Sequence, residues 1–258
     1  MNILFTICGR AGSKGVINKN LRLFLGYPLV YYTLAAVELY TRKYGKEDAI
    51  HFCLSTDSKE LVDMVNRYTR EVFVVNRDAA LCGDSVAKVD VIRDCLARSE
   101  VYFSVVYDIV VDLDITSPLR TVEDIKTAVD KLVSNIKFDI IFSVTPARRN
   151  PYFNMVKLEP DGSCSKVIAS DYIARQQAPL IFDMNASIYV YRLSYLRKDC
   201  AACYGFIEMT DTAVLDIDSE EDLGLMQHIA EYIYCKYPDY AEIHKSVISK
   251  PGIEVYSG

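Results

Sequence analysis

From Ile3 to Val144, short apolar runs alternate with stretches of helical periodicity. The runs Ile3–Cys8, Ile50–Ser55, Val72–Val75, Ile109–Leu113 and Ile140–Val144 predict buried strands. Between them, Pro28–Tyr44, Lys59–Tyr68, Ala87–Arg98 and Val122–Ser134 predict helices. Strands alternating with helices imply βαβ units, hence an α/β fold on a mainly parallel sheet. Right-handed crossovers then gather the functional loops at the carboxyl ends of the strands.

The rhythm breaks after Val144. Residues Pro146–Pro179 carry a loop, an extended run Phe153–Leu158, the turn Glu159-Pro160-Asp161-Gly162 and a second run Ser165–Ala169, which together predict a β-hairpin leaving the main sheet. The core resumes as a strand at Ala186–Tyr191. A last helix, from about Glu220 to Tyr234, opens on Ser219 and Asp222 spaced as a capping box. Residues 1–236 are therefore expected to form one domain with 146–179 as an inserted arm. Residues 237–258 read as a tail without a clear pattern.

Composition narrows the class. The 258 residues are 51% hydrophobic and 25% charged, enough for one sizeable core. A net charge of −6 argues against nucleic acid as the main partner. No apolar run reaches the roughly 18 residues of a membrane span, and the opening Met1-Asn2-Ile3-Leu4-Phe5 reads as a first strand rather than a leader, so a cytoplasmic location is expected. Cys8, Cys53, Cys82, Cys95 and Cys235 sit in apolar or helical contexts that suit reduced core thiols. Cys200 and Cys203 form a lone C-x-x-C, with no second pair or nearby His to make a zinc site.

The chemistry concentrates after the first strand. Gly9-Arg10-Ala11-Gly12-Ser13-Lys14-Gly15-Val16-Ile17-Asn18-Lys19-Asn20 carries three glycines at a spacing of three, with Arg10, Lys14 and Lys19. Glycines let backbone N–H groups approach a phosphate, and three cations in one loop suit a triphosphate that loses pyrophosphate. The spacing matches neither the dinucleotide nor the P-loop fingerprint; a solvated basic turn is the plain alternative. Asp216 and Asp218, two apart on an extended segment, point to one face and offer the hard oxygen ligands that suit Mg²⁺. Asp112 and Asp114 repeat that spacing at the end of the fourth strand. The adjacent Arg148 and Arg149 could hold a carboxylate bidentately, or simply form a surface turn. His51, His228 and His244 are the only histidines, and no Ser-His-Asp or Cys-His arrangement is visible, which argues against covalent catalysis.

The segment from Arg10 to Asn20 closely resembles motif one of the acylneuraminate cytidylyltransferases, or CMP-sialic acid synthetases, through Arg10, Ser13, Lys14, Gly15, Lys19 and Asn20, with Gly9 in place of the usual Ala. Further matches follow in order. They are Ser55-Thr56-Asp57; Arg77, Leu81, Asp84 and Ser85; Thr116-Ser117-Pro118-Leu119-Arg120; Arg175-Gln176 with Asn185; and Asp216-Ile217-Asp218. The resemblance implies a three-layer, Rossmann-like nucleotide-diphospho-sugar transferase fold with the hairpin as a dimerisation arm. It implies that Gly9, Arg10, Ala11, Ser13, Lys14, Asn20, Arg77, Asp84 and Ser85 bind a nucleoside triphosphate, CTP or GTP. Arg10, Lys14, Lys19 and Asp216 would be catalytic, and Asp216 and Asp218 would hold Mg²⁺. The acidic nine-carbon sugar would meet Asp114, Thr116, Ser117, Arg148, Arg149, Arg175, Gln176 and Asn185.

Two departures stand out: Asp114 occupies the place of a usual Gln, open as a third metal ligand or a sugar contact, and Asp183 replaces a usual basic residue. The combination of Arg148–Asn154 with Asp183–Ser187 looks most like the bacterial branch acting on legionaminic-type sugars, some of which uses GTP. A 3-deoxy-manno-octulosonate cytidylyltransferase and an inactive sugar- or nucleotide-binding relative are the alternatives. The resemblance also implies a homodimer.

Overall fold

The computed structural model describes residues 1–12, 16, 18–46, 48–83, 86–198, 201–211, 217 and 219–255. The expected elements form in order, joined by a small pair β2 (Leu23–Phe24) and β3 (Tyr27–Pro28) that the sequence pattern did not predict: β1 (Asn2–Cys8), then after that pair α1 (Leu29–Tyr44), β4 (Ala49–Thr56), α2 (Lys59–Tyr68), β5 (Val72–Asn76), α3 (Lys88–Phe103), β6 (Ile109–Leu113), α4 (Val122–Ser134) and β7 (Ile140–Pro146). After β7 come the arm pair β8 (Val156–Leu158) and β9 (Cys164–Lys166), then β10 (Phe182–Arg192), α5 (Leu193–Leu196), β11 (Tyr204–Glu208), α6 (Glu220–Lys236) and α7 (Pro238–Ile248).

Among the described residues the main sheet has seven strands in the order β11-β7-β10-β6-β1-β4-β5. The pairings β6–β1, β1–β4, β4–β5 and β11–β7 are parallel, and β10 runs antiparallel between β6 and β7. The mainly parallel α/β architecture expected from the sequence is therefore present. Strands of such a sheet are buried on both faces, which is why they read as unbroken apolar runs. On β1, Ile3, Phe5 and Ile7 pack into the core beneath α1, α2, α4, α6 and α7, while Leu4 joins the opposite core beneath α3 and α5. Capping boxes start α4 at Thr121–Asp124 and α6 at Ser219–Asp222, each pairing side chain and backbone reciprocally.

Three expectations change. The hairpin is shorter than predicted, its paired residues confined to 156–158 and 164–166, and the rest of 146–179 is loop and turn around Gly162 at φ +83°. A run without alternating burial has little to fix a long register. Cys235 is exposed rather than a core thiol. The tail is no tail: α7 is built in, with Tyr240, Ala241, Ile243 and Val247 buried. Their helical spacing is the signal that the sequence reading passed over, and Pro238 opens the helix where its missing N–H costs nothing.

α7 is locked onto α1 by an aromatic stack. The His244 ring lies parallel to Tyr32 and Tyr234, with centroids 5.9 and 5.1 Å away, and its Nδ1 is 3.0 Å from the Tyr32 hydroxyl. Lys250 adds an ion pair to Glu38 at 2.6 Å. Burial lowers the His244 pKa below its ordinary 6.5. The unfolded chain then binds this proton more readily than the folded one. The stabilisation is fully present above pH 6.5 and is lost as pH falls from there through the folded value. Unfolding midpoints should therefore drop between pH 7.5 and 5.5, and His244→Phe should flatten the drop. An equally steep profile in the variant would contradict this.

Candidate active site

The parallel strands end at Cys8, Thr56, Asn76 and Leu113 on one edge, and β7 ends beside them at Pro146. Because β10 is antiparallel, its first residues arrive at the same edge. This one topological fact brings together the segments that the sequence marked separately.

In the segment expected to bind the nucleotide, the backbone turns sharply after β1. The Gly9 N–H bonds Ser55 O at 3.1 Å. A Cβ on Gly9 would stand 2.5 Å from Leu61 Cδ2 and 2.7 Å from Ile115 Cδ1, so a larger residue here would make those two side-chain ends shift. Gly12 adopts φ +70°, with open space around it. Asn20 Nδ2 donates to Arg10 O at 3.0 Å, and Arg10 Nη1 donates to Cys82 O at 3.3 Å. Arg10, Ala11, Asn18, Asn20, Ser58 and Glu60 line a cavity of about 150 Å³. Lys19 opens a 3-10 turn, Lys19–Leu21, beside it. Ser13, Lys14, Gly15, Asp84 and Ser85 lie outside the described residues.

Asp57, in the matched Ser55-Thr56-Asp57 but not singled out as a site residue, ties these loops. Its Oδ1 accepts the Ala11 N–H at 2.7 Å. Partial burial pushes its carboxyl up, but hydrogen bonds from Ala11, from its own N–H and from Cys82 outweigh that, and the net shift is downward. Arg77 lies on this edge as expected, but its guanidinium is turned inward. It is 8% exposed and donates to Ser55 Oγ at 3.1 Å and Ser55 O at 2.9 Å. Arg77 braces the end of β4 instead of presenting a free cation.

At the end of the neighbouring strand, Asp114 follows β6. Its Oδ1 accepts the Thr116 N–H at 2.8 Å and Thr116 Oγ1 at 2.7 Å, and its Oδ2 stands 3.3 Å from Lys88 Nζ. Burial alone would raise the Asp114 pKa; Lys88 and the two Thr116 bonds reverse this and hold it at about 2. Arg120 is buried and folds back to Ser117 O and Asp114 O, so it shapes the 114–120 loop from beneath. Ser117 is half-buried at that loop, with its carbonyl engaged.

Arg148 is exposed and pairs with Asp211 at 2.9 Å; Arg149 is exposed beside it. Arg175 donates to Ala147 O, and with Gln176, Asn150 and Phe182 it lines a cavity of about 310 Å³ at the root of the arm. Asn185, expected to touch the sugar, is buried among protein partners. It is 3% exposed, accepts Ser143 Oγ and donates to Met209 Sδ at 3.4 Å, so its amide ties β10 to β7 at the bulge around Ala186. Asp216 and Asp218 lie outside the described residues; Ile217 between them is buried in the core.

A model of the cytidylyltransferase family matches residues 4–236. The chain belongs to the cytidylyltransferase family. Among its relatives, a CMP-N,N'-diacetyllegionaminic acid synthase of Campylobacter jejuni is 39% identical over 88% of this chain and 94% of that one. A post-translational flagellin modification protein B of Campylobacter coli is 37% identical over the same shares. A CMP-2-keto-3-deoxy-manno-octonic acid synthetase solved with CTP superposes with a TM-score of 0.62 at 14% identity, over 90% of this chain and 99% of that one. At that identity the likeness speaks for the fold: a nucleotide-sugar transferase architecture.

In this cytidylyltransferase the turn after β1, expected to bind the nucleotide, hangs on one carboxylate. Asp57→Ala frees the Ala11 N–H from a charge-assisted bond of about 1.5–3 kcal/mol. The KM for the nucleoside triphosphate should rise about tenfold or more, with a smaller effect on the other substrate. Initial-rate kinetics varying each substrate in turn would check this, and equal effects on both KM values would refute it.

Proposed function

We propose that this cytidylyltransferase moves a nucleoside monophosphate, CMP first and GMP as the variant to test, onto the anomeric hydroxyl of an acidic nine-carbon sugar of the sialic or legionaminic type. The sugar oxygen bonds to the α-phosphorus, the α–β phosphoanhydride breaks, and pyrophosphate leaves. The observation that carries this reading is the meeting, on one sheet edge, of the glycine-rich basic loop after β1 with the polar 114–120 loop and the Arg175 cavity. The legionaminic acid synthase among the relatives supports the sugar class. The octulosonate alternative has only a fold-level likeness in its favour.

In this reading Arg10, Lys14 and Lys19 hold the triphosphate and neutralise charge that grows on the departing phosphates. Asp216 and Asp218 would hold Mg²⁺, which supplies charge neutralisation and acidifies the attacking hydroxyl. That pair rests on its spacing and on the family resemblance. Asp114 fits a metal less well. Both of its oxygens already face donors, and an ammonium 3.3 Å away repels a second cation. The Arg148–Arg149 pair and the Arg175 cavity offer cations for the sugar's carboxylate.

We also read the arm as a homodimer surface, because Leu158, Ile173 and Leu180 are at least 80% exposed there. Large apolar side chains so exposed on one inserted segment suit a surface that a second copy covers. No helix among the described residues is long and apolar enough to cross a membrane, which is compatible with work in the cytoplasm, where nucleoside triphosphates are at hand.

Pyrophosphate release should be Mg²⁺-dependent and require both an acid sugar and CTP or GTP. Crossing four nucleotides with sialic, legionaminic and pseudaminic acids checks this, and no turnover with any pair sinks the reading. Asp216→Asn and Asp218→Asn should each lower kcat by orders of magnitude, the roughly 2–4 kcal/mol of one preorganised contact, with unchanged unfolding midpoints. Light scattering should give a dimer that Leu180→Glu weakens; a monomeric wild type at micromolar concentration would contradict the arm's role.

A further inference from the structure

Lys88 is the residue that neither the motifs nor the reaction outlined above accounts for. It opens α3, where the partial positive charge of the helix terminus disfavours a cation. Its ammonium nevertheless stands there, 2.7 Å from Asp112 Oδ2 and 3.3 Å from Asp114 Oδ2. Asp112 is fully buried on the central strand β6. Its Oδ1 takes Thr6 Oγ1 at 2.8 Å, and its Oδ2 is left to the Lys88 ammonium alone. A lone carboxylate in that place would be strongly destabilising, so Asp112 fixes the ammonium as firmly as the ammonium satisfies Asp112. The third direction around Nζ is closed by the Tyr189 ring, its centroid 5.5 Å away.

We propose that Lys88 is a positioning residue for the acceptor sugar: anchored by buried Asp112, it holds the Asp114 carboxylate in one orientation, from which Asp114 accepts a hydroxyl or amide N–H of the sugar. This deepens the substrate reading given above and rests on it. With Oδ1 occupied by the two Thr116 donors and Oδ2 by Lys88, Asp114 has no rotational freedom to lose when the sugar binds. About a quarter of its side-chain surface is open, and an ionised carboxylate has lone pairs left for one further donor. A carboxylate so held repels the sugar's own carboxylate, which must lie elsewhere, and selects a neutral donor. The low pKa of Asp114 keeps it ionised and rules it out as the base at working pH.

Lys88→Met and the double variant Lys88→Met/Asp112→Asn separate positioning from stability. The single variant orphans a buried charge and should lower the unfolding midpoint. The double variant removes that charge, keeps the Thr6 bond and should regain the midpoint. In both, the sugar KM should rise about tenfold, as for a lost charged hydrogen bond, with the nucleotide KM changed less than about twofold. Adding Asp114→Asn to the double variant should then cost little more, because the two residues act as one unit. If Lys88→Met alone does not fold, the double variant carries the comparison.

A double variant that regains the wild-type sugar KM along with its midpoint would show Lys88 to be structural only and overturn the proposal. So would a defect confined to the nucleotide KM, or full additivity with Asp114→Asn. If the wild type turns over no acid sugar at all, the substrate reading fails and the acceptor assignment with it. Normal wild-type turnover with unaltered sugar KM in the variants sinks the assignment alone.

Discussion

A carboxylate buried in the middle of the sheet is the constraint around which this active edge is arranged. Asp112 on β6 sits where an apolar side chain would cost nothing, flanked by β1 on one side and β10 on the other. Keeping it charged requires an ammonium from another element, and the ammonium comes from the first turn of α3. That single pairing sets where α3 begins. It places the end of the 77–87 connection on the nucleotide side and, through Asp114, the start of the 114–120 loop on the acceptor side. Two loops at the sheet edge, which the proposed function assigns to different substrates, are thereby referenced to one buried point.

The rest of the edge follows a similar economy. Side chains that could have faced a substrate are spent on holding backbone. Arg77 fixes the end of β4, Arg120 supports the 114–120 loop from below, Asp57 holds the turn after β1, and Asn185 ties β10 to β7. In the proposed function, substrate-facing work is left to a few side chains whose surroundings these braces fix. Such preorganisation is what a transfer reaction needs when there is no covalent intermediate: the reactants are aligned and developing charge is met by groups already in place.

Much of this was legible in the sequence for a physical reason. Strands of a parallel sheet are apolar on both faces, so β1, β4, β5, β6 and β7 announced themselves as runs, and the ordered motifs marked the strand ends. Pairings across the fold were not legible. Lys88 and Asp114 are 26 positions apart, and nothing local says that a lysine opening a helix will meet a buried aspartate. Arg77 and Asn185 sit in matched motifs, and a motif does not tell whether a side chain points into the cleft or into the core. The α7 helix carried its own helical spacing. Its partners, Tyr32 and Glu38, lie two hundred residues earlier, so the chain end looked unstructured when read alone.

The most direct test of the account is a crystal structure with the nucleotide-sugar product bound. The account requires the nucleotide phosphate against the turn from Gly9 to Gly12, with the Lys88 ammonium still bridging Asp112 and Asp114. A hydroxyl or amide N–H of the sugar should lie within hydrogen-bonding distance of Asp114 Oδ2. A divalent cation bound between Asp112 and Asp114, with Lys88 displaced, or a sugar seated away from the 114–120 loop, would contradict it.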